Sequence, residues 1–213
     1  MQKALTVGLL TALSFSSLLA YALDPSQMIV KVYAVAVSAS ADCSNPAVLF
    51  YSGIPTQVDF LKNPNLGGGS VPDGTYPCVI ISMSDNIQFS SSTSSGSCAA
   101  GTLNTLDLCQ AFGQTDVLSG DGSYGTRIQC SGSTLTPQQN IVTLFLTTAS
   151  SQTFLNPLNS FARPGVNGGL GLNLTAPFVV NGSTAGTFAV KGAGHVDGSG
   201  ATCNMSFPTF GFH

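Results

Sequence analysis

The sequence predicts an all-β chain, a sandwich or barrel with long loops and disulfides. Three observations predict it. Short apolar or alternating segments recur at roughly ten-residue spacing, separated by Gly, Pro, Asn and Asp turn signals. No long amphipathic stretch of 3.6-residue period follows the first 22 residues. Six cysteines, an even number, all lie beyond residue 22.

The chain opens on a short basic start, Met1-Gln2-Lys3, and an apolar run from Ala4 to Ala20. Ala20-Tyr21-Ala22 then supplies the small-x-small pattern of a cleavage site. Residues 1–22 therefore read as a secretory signal peptide and 23–213 as a single all-β domain. The run is broken by Thr6, Thr11, Ser14, Ser16 and Ser17, which makes it too polar and too short for a transmembrane anchor. No membrane span is expected once the signal is removed. No Cys lies at the cleavage site, so no lipid anchor is expected either.

Met28 to Ala39 alternates and is rich in Val, a strand with Lys31 and Tyr33 on one face. Ala47 to Tyr51 and Thr56 to Leu61 read as two further strands. Asn63 to Gly69 reads as a loop, and Pro72-Asp73-Gly74 as a tight turn. Thr75 to Ser84 is the strongest strand signal, with Val79-Ile80-Ile81 calling for burial on both faces. Asn86 to Ser90 follows as a short strand. Ser90 to Ser97 is a low-complexity loop that stays mobile unless Cys98 ties it down. Thr105 to Phe112 fits either a strand or a helical turn. Arg127 to Cys130 and Ile141 to Thr148 are strands, and Gln152 to Gly169 is an irregular connection. Leu170, Leu172 and Leu174 alternate. Phe178 to Val180, Thr187 to Lys191 and Cys203 to Phe212 complete the strands.

The cysteines are Cys43, Cys78, Cys98, Cys109, Cys130 and Cys203. In an exported chain they imply three disulfides. None forms a Cys-x-x-Cys, so a zinc site or thioredoxin-like motif is poorly supported. Cys43 opens a turn and Cys78 lies in an apolar strand, which makes Cys43–Cys78 the preferred pair. The other pairings stay open.

Charge narrows the function classes. Only 7% of the 213 residues are charged, and the formal net charge is -3. All nine acidic residues are Asp, and Glu and Trp are absent. A soluble domain normally carries about a quarter charged residues. A nucleic-acid binder needs a cationic face, so nucleic acid is not an expected partner. A coiled coil needs Glu and Lys pairs.

Candidate chemistry is thin. His195-Val196-Asp197-Gly198-Ser199 gathers three triad residue types, but a triad draws its members from separate elements. Here a plain turn is the favoured reading. Gly120 to Gly125 lacks the pattern of a nucleophile elbow, because Asp121 stands where Gly is needed. Gly192-Ala193-Gly194 and Gly67-Gly68-Gly69 lack the remaining residues of nucleotide motifs. A carboxylate pair for glycoside hydrolysis could come from Asp59, Asp73, Asp85, Asp107, Asp116, Asp121 or Asp197. The Asp121 and Asp197 loops are candidates for Ca²⁺, though neither fits an EF-hand, and turn chemistry is favoured. No cofactor is assigned. An exposed aromatic could offer a sugar platform, but Phe more often belongs to the core. Phe207 to Phe212 reads as a final edge strand rather than a donor strand. Asn173, Asn181 and Asn204 head three N-x-S/T sequons.

Val58-Asp59-Phe60-Leu61, then Pro72-Asp73-Gly74-Thr75-Tyr76, then Val79 and Ile81 form an ordered set within residues 29–89. This set resembles a family of bacterial exported β-sandwich domains of unknown function. There, a Pro-Asp-Gly-Thr-Tyr strand follows a Val-Asp-Leu-Leu-like strand. The resemblance implies a transthyretin- or immunoglobulin-like sandwich, as found in secreted and lipoprotein chains. It covers under a third of the chain and implies no catalytic residues. The cysteines and the missing lipobox depart from the family pattern.

The leading expectation is thus a secreted or periplasmic, disulfide-stabilised β-sandwich acting as a binding or cell-surface-associated module. Its ligand is not specified by the sequence, and a cell-surface or glycan partner is the one considered. The competing expectations are an extracellular polysaccharide hydrolase with an Asp pair and a fimbrial or adhesin subunit.

Overall fold

The computed structural model describes residues 22–62, 69–109, 113–130, 140–156, 158–182, 184–185 and 188–212. The stretch that reads as a signal peptide, apart from Ala22, and most of the Asn63–Gly69 loop lie outside the described residues, as does the end of the Thr105–Phe112 segment.

The described chain is nearly all β. The first strands are β1 (Ala22–Leu23), β2 (Pro25–Ser38), β3 (Ala47–Asp59), β4 (Gly74–Tyr76), β5 (Cys78–Ser84) and β6 (Asn86–Ser91). The middle of the chain gives β7 (Asn104–Asp107), β8 (Gln114–Thr115), β9 (Ile128–Gln129), β10 (Ile141–Thr147) and β11 (Leu172–Asn173). The last strands are β12 (Phe178–Asn181), β13 (Thr184–Ala185), β14 (Phe188–Lys191), β15 (Val196–Asp197), β16 (Asn204–Met205) and β17 (Thr209–Phe212). Among the described residues no helix is long and apolar enough to cross a membrane.

Strand β2 organises a curled seven-stranded sheet of order β11-β10-β5-β2-β6-β7, with β3 on the other edge of β2. Met28, Val30 and Val32 alternate inward while Lys31 is exposed. A register shift between Val32 and Ala34 then changes the parity, so Val35 and Val37 face the same core. A bulge is what permits this, since one extra residue exchanges the faces of a strand. Beyond it β2 is buried on both faces. Ala34 and Ala36 meet Ile80, Phe145 and Leu118 on the second face.

Several predicted strands change their partition; Cys203–Phe212 divides into β16 and β17, which belong to different sheets and leave Pro208 between them. Ala47–Tyr51 and Thr56–Asp59 are parts of one strand, β3, and Phe60 and Leu61 turn away after it. Ala34 pairs with Tyr51 and Val32 with Thr56, so residues 52–55 stand opposite Tyr33 alone. The Gly53–Pro55 stretch, with Ile54 exposed, is the irregularity that parts them in the sequence. Thr75–Ser84 instead divides at Pro77 into β4 and β5, which belong to different sheets. Proline has no N–H for a ladder, and its carbonyl here accepts from Thr148 N at 3.0 Å. All of β5 is buried, as its Val-Ile-Ile centre requires.

Smaller sheets cover the main core. Phe188 of β14 and Phe210 of β17 stack with centroids 5.8 Å apart, and Phe178 of β12 lies 4.9 Å from Phe212. The C-terminal strand β17 is paired within the chain to β14 over four residues.

All six cysteines are bonded: Cys43 to Cys78, Cys98 to Cys203, and Cys109 to Cys130. The first is the pair chosen from the turn-to-strand argument. The second spans 105 residues and fastens the serine-rich loop. That loop is further held by Ser97 N donating to Gly198 O at 2.9 Å. Gly96 (φ +56°) and Gly198 approach so closely that a Cβ on Gly198 would sit 2.1 Å from the Ser95 carbonyl oxygen.

Gly198→Ala therefore destabilises the fold by about 1–3 kcal/mol through this overpacking. Gly53→Ala, with open space around the added methyl, leaves stability nearly unchanged. Urea denaturation of the two variants checks the contrast.

Candidate functional site

A cleft of about 380 Å³ opens where three parts of the fold meet. Leu106, Asp107 and Leu108 come from β7 and its end, and Thr153, Phe154 and Leu155 from the irregular segment after β10. The third wall is His195, Met205, Ser206 and Phe207, at the end of the β15–β16 hairpin. β7 is placed by antiparallel pairing with β6, and β15 by pairing with β1.

The hairpin register, Val196 with Met205, brings His195 and Ser206 opposite each other. Ser206 N donates to His195 O at 2.8 Å. Ser206 Oγ lies 3.0 Å from His195 Nδ1 and 3.3 Å from the same carbonyl oxygen. The partner of His195 is thus Ser206, eleven residues away, not Ser199. Ser199 N instead donates to Asp197 Oδ1 at 2.8 Å, closing the turn that the residue spacing favours. Sequence reading missed Ser206 because only the hairpin register makes it a neighbour. The Cys203–Phe212 strand signal was the one indication that a strand returns there.

Phe154 is 66% exposed, and the segment that displays it is braced from beneath. Buried Gln152 donates through Nε2 to Phe154 O (2.9 Å) and to Ser160 Oγ (2.6 Å). Ser160 Oγ also accepts from Asn156 N at 2.9 Å, and Asn156 Oδ1 accepts from Leu158 N at 3.0 Å.

The aspartates are spent mainly on backbone. Asp42 and Asp121 each accept from the N–H and hydroxyl of the serine two residues on, Ser44 and Ser123. Bonds from Ser44 and Ser40 hold the Asp42 carboxyl down to about 2. Asp121 is lowered by Ser123, and Asp197 by Ser199. Asp59 Oδ1 accepts from Met28 N and Leu61 N, and its other oxygen meets Lys62 at 3.2 Å. Asp116 is buried, accepts from Arg163 N at 2.7 Å and faces Arg127 at 3.8 Å. Asp73 is exposed beside β4. Among the described residues no three His, Cys, Asp or Glu side chains are grouped to hold a metal.

Asp85 and Asp107 lie near enough for the charge of one to act on the other. Asn86 of β6 pairs with Asp107 of β7, and Leu108 N donates to Asp85 O at 2.8 Å. Asp107 Oδ1 accepts from Cys109 N at 3.0 Å. Asp85 is only 1% exposed, so a polysaccharide cannot reach it. Burial, helped by the neighbouring Asp107 charge and opposed by a 2.7 Å bond from Asn86 Nδ2, pushes the Asp85 carboxyl up to about 6.

Comparison with known proteins finds no match among family models, curated proteins or solved structures.

A carboxyl raised in the folded state favours the fold where it is protonated. From Asp85, stability is highest below its unfolded value of 3.8 and is lost as pH rises through about 6. Asp42 acts in the opposite sense below 3.8, where its lowered carboxyl loses stability as pH falls towards 2. Melting temperature measured against pH is expected to fall less between about 4 and 7 for Asp85→Asn than for the unmodified protein. Parallel curves contradict the assignment.

Proposed function

We propose that this chain is an exported, disulfide-stabilised β-sandwich of the transthyretin- or immunoglobulin-like kind, acting as a binding or cell-surface-associated module. The observation that carries the reading is that all six cysteines are paired, across 21 to 105 residues of sequence. Such bonds are typical of extracellular and periplasmic proteins and rare where thiols are kept reduced. The basic-apolar N-terminus and its Ala20-Tyr21-Ala22 site support export in the same sense. The resemblance of residues 29–89 to bacterial exported sandwich domains supports the fold and the compartment together. Main-sheet residues such as Val35 and Leu144 share one core with Phe178, Phe188 and Phe210 from the smaller sheets, as a two-layered arrangement requires.

Binding is favoured over the alternatives by where side chains lie. Asp85 is sealed from a polymeric substrate, which removes the interacting carboxylate pair from hydrolysis. Strand β17 is engaged with β14, which disfavours its use as a donor strand. The cleft beside Phe154 is the ligand site under this reading.

Non-reducing peptide mapping of the exported protein tests the proposal. The expected result is the three linkages 43–78, 98–203 and 109–130, in protein whose N-terminus is Leu23. Six free thiols, or retention of Met1 in the cytoplasm, overturns it.

A further inference from the structure

We propose that the cleft walled by β7, residues 153–155 and the β15–β16 hairpin is a saccharide site, seating a neutral pyranose ring against Phe154. The inference rests on the binding-module reading and names the ligand class that its cleft would take.

Three features of the cleft converge on that class. The first is the aromatic side chain. Phe154 stands 66% exposed while the polar groups below it, Gln152 and Ser160, are buried and bonded to each other and to its backbone. A large apolar side chain left in water forgoes burial, yet this one is held by a fixed hydrogen-bonded brace. The negative face of an aromatic ring attracts the weakly positive C–H groups on one side of a sugar ring. Half-buried Leu106 and Leu155 extend that apolar wall.

The second feature is the polar set opposite. Ser206 has one hydroxyl hydrogen. When it goes to the His195 carbonyl oxygen, Oγ accepts from Nδ1–H, and Nε2 becomes an acceptor. Asp107 commits Oδ1 to Cys109 N and has a second oxygen with which to accept. When the Ser206 hydrogen goes to Nδ1 instead, Nε2 carries the hydrogen and donates; a ligand rich in hydroxyls, each both donor and acceptor, complements Asp107 and either tautomer of His195.

The third feature is the sign of charge. Among the described residues no Lys or Arg lines the cleft, and Asp107 does. A phosphate, carboxylate or acidic sugar would meet the Asp107 carboxylate there. A neutral saccharide meets the apolar wall and the polar set at once. The volume of about 380 Å³ lies within the range of small-ligand pockets.

The test is a titration of the full disulfide-bonded protein, followed by amide and aromatic-ring NMR. The probes are glucose, galactose, mannose and N-acetylglucosamine, with their β-linked disaccharides. Saturable shifts confined to residues 106–108, 153–155, 195 and 205–207 are expected with at least one of them. Phe154→Ala is expected to weaken that binding at least tenfold with an unchanged melting temperature. Ser206→Ala is the second variant, expected to weaken it without disturbing the hairpin backbone bond. Failure of every saccharide to shift these residues, or equal binding by Phe154→Ala, overturns the proposal. Cyclohexanol serves as an apolar control. Shifts at the same residues with cyclohexanol and none with the sugars sink the saccharide assignment while leaving a binding site. Silence towards both sinks the site and its role in the module together.

Discussion

Hydrogen bonding on both edges of β2 is what the rest of the structure depends on. One edge is taken by β3 from Ile29 to Val37. The other is shared by β6, over Pro25 to Ile29, and β5, over Val32 to Ser38. A one-residue slip of β2 would send Val30 and Val32 to solvent and misalign every strand hung from it. The shift near Tyr33 is therefore a constraint and not a defect. It lets a single strand serve the main core first on one face and then, through Ala34 and Ala36, a second core as well. The cleft inherits this frame. β6 carries β7 and Asp107, while Leu23, one residue before Asp24 and β2, pairs with Val196 of the hairpin that holds His195 and Ser206. Asp24, the residue between β1 and β2, ties the two sides together. Its carbonyl accepts from Ser92 N and its Oδ1 from Gly194 N, both at 2.8 Å.

Between strands, short side chains replace what helices would otherwise supply. Asp42, Asp59, Asp107, Asp121 and Asp197 each accept an N–H two residues further on. Ser38, Ser52, Ser84, Ser91 and Ser150 do the same with their hydroxyls. Only a short side chain can close such a ring back on its own backbone. That gives a physical cause for a chain with nine Asp and no Glu. Its polar residues are selected for turns rather than for solvated helix faces.

The longer strands were legible: Met28 to Val32 of β2 follows period two, and β5 and β10 are visible as continuous apolar runs, whereas the two-residue strands β1, β8 and β15 have no such pattern. The Cys43–Cys78 bond is the pairing the sequence favours, a turn fastened to an apolar strand. The remaining disulfides depend on contacts 21 and 105 residues apart that no local pattern encodes. The cleft was the least legible part. Phe154 looks like any core Phe in a sequence, and its exposure follows from a brace made by Gln152 and Ser160. Ser206 becomes a partner of His195 only through the register of β15 with β16. The local His-Asp-Ser cluster was legible as a turn, and the turn is where Asp197 and Ser199 remain.

Native-state hydrogen exchange tests the central role of β2 most directly. The amides of Val30 to Val37 are expected to exchange only through global unfolding, with protection equal to the stability measured by denaturant. The two-stranded β14–β17 sheet and the β15–β16 hairpin should open at lower free energy. Exchange of the β2 amides ahead of those in β14 and β17 would contradict the account.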